Sequence, residues 1–246
     1  MTDSSAKRKR DNTDVVVDSE PAKVAKPALP STPEKFPTSQ SYDSMVRIKA
    51  GRGEKAKVFE VHQGILCFYS GYFRAAFKGR WREAQEGAID IPSISPSVFK
   101  LFIHWAYTRQ LEIAAENGTD KAAVQLWIFG DAHEIPMLQN EVITATHRMV
   151  VKEGVVPKGF MINHVYENTM PQSRLRQYLI DVYGALCASE ALRRHDAQAG
   201  WCRDALFDLL QVVWRVGGHR EGTKDVEKWD LCKYHVHEQG VKCGES

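Results

Sequence analysis

The chain has no excess of charge of either sign: 33 lysines and arginines against 31 aspartates and glutamates leave a formal net charge of +2 over 246 residues. That balance offers no chain-wide electrostatic footprint for nucleic acid or for an anionic membrane surface. It also has no long hydrophobic run, nothing near the roughly 18 apolar residues that would cross a bilayer. The N-terminal stretch is polar and charged, without the apolar core of a secretory signal, so a reduced intracellular chain is expected. Cysteine is scarce: Cys67, Cys187, Cys202, Cys232 and Cys243 are odd in number and widely spread, which excludes a dense disulfide scaffold. What the chain does have is a hydrophobic fraction of 43%, with 10% aromatics, enough to bury a core.

Residues 1–40 differ from the rest. Five of the ten prolines fall there, among Ser, Thr, Lys and Asp, with few large apolar side chains. Such a segment cannot bury enough surface to offset chain entropy, so it reads as a disordered tail. Within it Lys7-Arg8-Lys9-Arg10 is a compact basic cluster. On an accessible tail this is the form of a nuclear import signal. A solvated charge cluster diluted by Asp11 and Asp14 is the bland alternative. Thr32-Pro33 has the minimal form of a proline-directed kinase site.

From Asp43 onward compact, aromatic-rich segments alternate with turn residues. Met45–Lys49 and Lys57–Val61 alternate in polarity around Gly51-Arg52-Gly53, the pattern of a β-hairpin. Residues 63–78 carry apolar side chains at helical spacing, broken near Ser70-Gly71, with Ser70 placed to cap the second piece. Ala88–Ile91 is a short strand stopped by Pro92. Ser95-Pro96 opens a helix that is apolar nearly all round through Tyr107 and is therefore expected to be buried. Two further helices follow, one capped by Asp120 and one after Pro136. His62 reads as a buried histidine satisfying backbone groups where strand meets helix. Cys67 reads as a core residue on an aromatic helix.

Phe59-Glu60-Val61-His62-Gln63-Gly64-Ile65-Leu66, then Ser70-Gly71-Tyr72-Phe73, resemble the opening of a BTB/POZ domain. Ile89-Asp90-Ile91-Pro92, Val98-Phe99, Trp105-Ala106-Tyr107-Thr108 and Ile135–Asn140 continue the likeness in order. It spans residues 41–151 and is most similar to BTB proteins of fungi. The resemblance implies an α+β architecture: a small β-sheet flanked by a cluster of α-helices. It also implies protein–protein interaction, commonly as a homodimer, and in some members an adaptor role that bridges a target protein to a cullin scaffold in a ubiquitin ligase. Asp43 lies where the family often has an Asp before the first strand. Adaptor members often carry a hydrophobic-x-Glu pattern in the helix that starts near Val98. Phe99-Lys100-Leu101 stands there in this chain, so the glutamate and its hydrogen bonds are absent. Asp43, Phe99, Leu101 and Tyr107 are the residues that the likeness nominates for partner contact, with Phe99 and Tyr107 expected to be half core and half surface.

Residues 152–246 read as a helical C-terminal extension packed on the preceding domain. Residues 173–186 and 203–216 are amphipathic; the second carries Leu206, Leu209, Leu210, Val213 and Trp214. Tyr166-Glu167-Asn168-Thr169 and Ser173-Arg174-Leu175-Arg176 are similar to the region that follows the domain in fungal members. Cys232, His235, His237 and Cys243 then supply two thiols and two imidazoles within twelve residues, the inventory of a tetrahedral zinc site. Their spacing is not that of a standard finger, and a flexible polar tail would hold the same residues without metal. No cofactor is otherwise required.

Enzyme signatures fail. Gly217–Lys224 looks like a phosphate loop but has Thr before Lys, and His133-Glu134 has no second histidine three residues on. No Gly-x-Ser-x-Gly elbow exists, and the Asn117-Gly118-Thr119 sequon is idle without export. A non-enzymatic module that self-associates and recruits partners in nucleus or cytoplasm is the expectation. The alternative is a transcription or chromatin-associated factor that oligomerises through the same domain. Membrane association is not expected, and nucleic-acid binding is disfavoured by the charge balance.

Overall fold

The computed structural model describes residues 36–78, 82–113, 119–153, 159–186, 201–215, 223–237 and 243. All belong to one compact unit, Glu34–Ser246. The basic cluster Lys7–Arg10, most of the expected disordered tail and Gly217–Gly222 lie outside the described residues.

Strands β1 (Met45–Ala50) and β2 (Lys57–His62) pair antiparallel, with Ile48 opposite Phe59. Gly51 and Gly53 between them take φ of +90° and +58°, a backbone region open to glycine at no steric cost. β1 alternates between solvent and core, burying Val46, Ile48 and Ala50 as a period of two requires. β3 (Ala88–Ile91) joins β1 in parallel, giving the order β2-β1-β3. A parallel partner needs a crossover. Helices α1 (Gln63–Tyr69), α2 (Gly71–Phe77) and α3 (Arg82–Glu86) supply it.

The break between α1 and α2 has a specific cause. Ser70 is extended, its Oγ accepts the Phe73 N–H at 3.1 Å, and its hydroxyl donates to the His133 carbonyl at 2.6 Å. One side chain thus caps α2 and ties it to the end of α5. α4 (Pro96–Thr108), α5 (Thr119–Ala132) and α6 (Pro136–Glu153) follow. Pro96 sits in the first turn of α4, and Ser95 Oγ accepts the Val98 N–H. Phe73, Phe99, Phe102, Trp105 and Phe129 form a fully buried aromatic centre beneath the sheet. At the end of α4, Arg109 turns left-handed (φ +59°), stacks over the Trp105 ring at 4.4 Å and pairs with Glu141 of α6. Glu141 also accepts the Trp105 Nε1–H at 2.6 Å, so one carboxylate joins α4 to α6.

The C-terminal part continues this core. α7 (Gly159–Asn168), α8 (Arg174–Leu186) and α9 (Arg203–Arg215) precede 3-10 turns at Thr223–Lys228 and Leu231–Tyr234. Arg176, buried on α8, donates to the carbonyls of Tyr166 and Thr169 and to Thr169 Oγ1. It thereby satisfies carbonyls that the end of α7 leaves without helical partners. This cap joins the Tyr166–Thr169 and Ser173–Arg176 stretches in space. Gly184 lets α9 approach α8 closely, since a Cβ there would come within 2.7 Å of Val212. The final segment is not a loose polar tail over its described residues: Tyr234 is buried, and its hydroxyl donates to Asp181 at 2.8 Å. Among the described residues no helix is long and apolar enough to cross a membrane.

Candidate functional site

The residues nominated for partner contact separate sharply in depth. Phe99 is fully buried, its ring edge-on to Phe59 at 5.1 Å and to Phe129 at 6.1 Å. It is core, not half surface, and no partner reaches it without opening the domain. Leu101 is half-buried and packs on the core, while Lys100 beside it is exposed. Tyr107 is 38% exposed, near the half-core, half-surface placement expected of it. Its hydroxyl accepts the backbone N–H of His62 at 3.1 Å and lies 2.7 Å from His62 Nδ1. The phenol and the imidazole thus share a hydrogen bond as well. His62 is therefore half-buried and held by a tyrosine, rather than buried and satisfying backbone groups. Tyr42 packs edge-on against the same ring at 5.2 Å. Asp43 closes the 3-10 turn Ser39–Tyr42 and is exposed beside it. That turn begins inside the stretch read as disordered. It rests on Gly64, where a Cβ would come within 2.5 Å of Ser41 Cα. Tyr42, Asp43, His62 and Tyr107 thus share one surface patch assembled from α1's neighbour turn, β2 and α4.

A second surface lies on α9. The sequence stripe Leu206-Leu209-Leu210-Val213-Trp214 reads as the face packed on the core, and the structure corrects it. Only Leu209 of that stripe is buried, and it turns inward with Ala205 and Val212. Leu206, Phe207, Leu210, Val213 and Trp214 face solvent, with Phe207 61% and Trp214 83% exposed. A cavity of about 370 Å³ opens between α8, α9 and the Leu231–Tyr234 turn. The carboxylates that line it are already engaged: Asp208 accepts from Tyr166 at 2.6 Å, and Asp181 from Tyr234.

The third cluster is the Cys/His set. Cys232 Sγ, His237 Nε2 and Cys243 Sγ lie within 4.8 Å of one another. His237 Nε2 is 3.5 Å from Cys232 Sγ and 3.3 Å from Cys243 Sγ. His235 Nδ1 stands 3.0 Å from Cys243 Sγ. Burial, and then Cys232 beside it, pushes the Cys243 thiol up to about 11. Burial, and then His237, holds the His235 imidazole below its usual range. Cys67 is outside this set, half-buried, its thiol 3.7 Å from the Phe73 carbonyl and raised by burial.

Residues 41–146 match the BTB/POZ domain family. Over 66 residues the chain is 33% identical to Kelch-like protein 40 of Xenopus tropicalis, covering 27% of this chain and 11% of that protein. It is 33% identical over 63 residues to Kelch-like protein 24 of Homo sapiens, 26% of this chain and 10% of the relative. Kelch-like protein 21 of Bos taurus is 29% identical over 59 residues, 24% and 10% of the two chains. The matched part spans about a tenth of the length of these curated relatives, all of them animal proteins.

Proposed function

We propose, from the premise that residues 41–146 are a BTB/POZ domain, that this protein is a non-enzymatic interaction module that self-associates and recruits other proteins. The observation that carries the reading is the outward apolar face of α9. Five large apolar side chains in helical register, two of them aromatic, stand exposed among the described residues and are of the kind that anchors protein interfaces. A second copy is their occupant. A two-fold contact uses the same patch on both partners, so a single apolar helix face is enough to build one. Sedimentation velocity of the full chain tests this. A dimer that Phe207→Ser/Trp214→Ser weakens supports it; a wild-type monomer at tens of micromolar overturns self-association, and an unaffected dimer removes α9 from it.

The finer reading is an adaptor that bridges a target to a cullin-type ubiquitin ligase. Its support is the family match and the exposed Tyr42–His62–Tyr107 patch beside Asp43; Leu101 in place of a glutamate weighs against it. Calorimetric titration with the N-terminal region of a cullin scaffold decides the matter. Micromolar binding weakened by Tyr107→Ala carries the adaptor role, and no binding by a folded sample removes it. Nuclear entry through Lys7–Arg10 and the likeness to fungal members belong to the same proposal. Nuclear localisation unchanged by deletion of residues 1–40 would exclude the import signal.

A further inference from the structure

We infer that Cys232, His235, His237 and Cys243 form a structural zinc site that clamps the C-terminal segment onto α6. With Zn–S near 2.3 Å and Zn–N near 2.0–2.1 Å, a tetrahedral ion separates a sulfur from a nitrogen ligand by about 3.5 Å. The two His237–cysteine separations, 3.5 Å and 3.3 Å, are of that size. Cys232, His237 and Cys243 already hold their ligand atoms within 4.8 Å of one another; His235 Nδ1, 3.0 Å from Cys243 Sγ, stands at the edge of that set and has to swing in to be the fourth donor. With His235 swung in, two thiolates and two imidazoles complete the shell and leave no position for substrate, so the site is structural rather than catalytic.

The orientation of His235 is the independent observation. Thr144 on α6 donates its only hydroxyl proton to the Asn140 carbonyl at 2.9 Å. Its oxygen, 3.1 Å from His235 Nε2, can then only accept, which fixes the imidazole hydrogen on Nε2. The Nδ1 lone pair is left directed toward Cys243. A histidine whose far nitrogen is tied down by a hydrogen bond so that the near one is a free donor is the arrangement that supports metal ligation. The Cys243 backbone N–H also donates to Cys232 Sγ at 3.2 Å, which holds the two cysteines together. Asn140 grips the intervening residue from both sides, donating to the Val236 carbonyl at 3.0 Å and accepting its N–H at 2.6 Å. One face of α6 thus presets the segment that bears three of the four ligands. Binding converts two thiols into thiolates and releases two protons, while both imidazoles enter neutral.

Untagged full-length protein, purified under reducing conditions without chelator, should hold about one zinc per chain by elemental analysis. Replacement by cobalt should give the visible spectrum of a tetrahedral thiolate–imidazole site. Cys232→Ser and Cys243→Ser should each abolish stoichiometric metal. Thr144→Val removes no ligand and should keep the metal while weakening its affinity by about 10–100-fold. Because the cysteine variants could misfold, thiol labelling of wild type provides a second readout: Cys232 and Cys243 should be protected until a strong chelator is added, whereas Cys67 should be indifferent to it. Metal-free wild type, zinc retained by either cysteine variant, or a Cys232–Cys243 disulfide found in its place would each overturn the site.

Discussion

Two helices of thirteen residues, α4 and α9, are made of nearly the same kind of side chains and serve opposite ends. α4 buries Val98, Phe99, Phe102, Trp105 and Ala106 and shows solvent mainly Tyr107 among its large apolar residues. α9 buries Ala205 and Leu209 and leaves Leu206, Phe207, Leu210, Val213 and Trp214 outside. The difference lies in what surrounds them. α4 is packed against α1 and α5 and, through Phe99 on Phe59, against the sheet, whereas among the described residues α9 rests on α7 and α8. Apolar content therefore reports that a surface will be covered, not whether the cover comes from the same chain.

Truncation in α4 should produce the largest effect. Phe102 is fully buried and stacks among Phe73, Phe99 and Phe129. Phe102→Ala should cost about 3–5 kcal/mol, a large share of the stability of an ordinary domain, as read from urea denaturation. A loss near that of a surface substitution would break the contrast between α4 and α9.

At the end of the same helix the expected effect is smaller. Glu141→Ala removes the partner of both Arg109 and the Trp105 indole, leaving groups that are largely shielded from water without their acceptor. A loss of about 1.5–3 kcal/mol is expected, the range for hydrogen bonds to a charged group. Glu141→Gln should recover part of it, because the amide oxygen still accepts from the indole.

Acid should affect both halves through one mechanism. His133 is stacked on Phe129 at 4.2 Å, and His147 bonds the Val226 carbonyl at 3.0 Å between α6 and the C-terminal segment. Burial holds each imidazole below its ordinary 6.5, with a backbone hydrogen bond opposing the shift in part. The unfolded chain then binds more protons than the folded one in the window below 6.5. The stability gained by keeping these rings neutral is complete above 6.5 and declines as pH falls from there to the folded values. Asp131 has the opposite sign: burial raises its carboxyl above 3.8, so its penalty is relieved toward acid. Denaturation midpoints measured from pH 7.5 to 5.5 should fall with acid, and His147→Gln should flatten the slope.

Much of the fold is legible in the residues. The hairpin, the break at Ser70, the strand before Pro92 and the starts of α4 and α6 follow from period, caps and proline, all of which are local. α7 is not legible because Gly159, Asn163, His164 and Asn168 give it poor propensity. It is held instead by buried Met161, Ile162 and Val165 and by the cap from Arg176, which is tertiary packing. The depth of Phe99 is hidden for another reason. A helix that is apolar nearly all round does not say which of its side chains face out. The Cys/His inventory is visible at 232–243, but the threonine that orients His235 lies 91 residues away on α6. A hydrogen bond of that span leaves no mark in local sequence.

The smallest expected change in stability is the one that tests the comparison most directly. Phe207→Ser and Trp214→Ser remove side chains that are 61% and 83% exposed, so they open no cavity and strand no buried partner. Each should alter the stability of the protomer by no more than about 0.5 kcal/mol, as surface substitutions do. Urea denaturation at a protein concentration low enough to dissociate any dimer isolates that term, because association otherwise adds to apparent stability by mass action. If α9 is covered by a second copy, the wild type should gain stability as concentration rises while the variants do not. A loss of several kcal/mol in the dilute variants would mean instead that α9 is held within its own chain, and that its resemblance to α4 extends to its role.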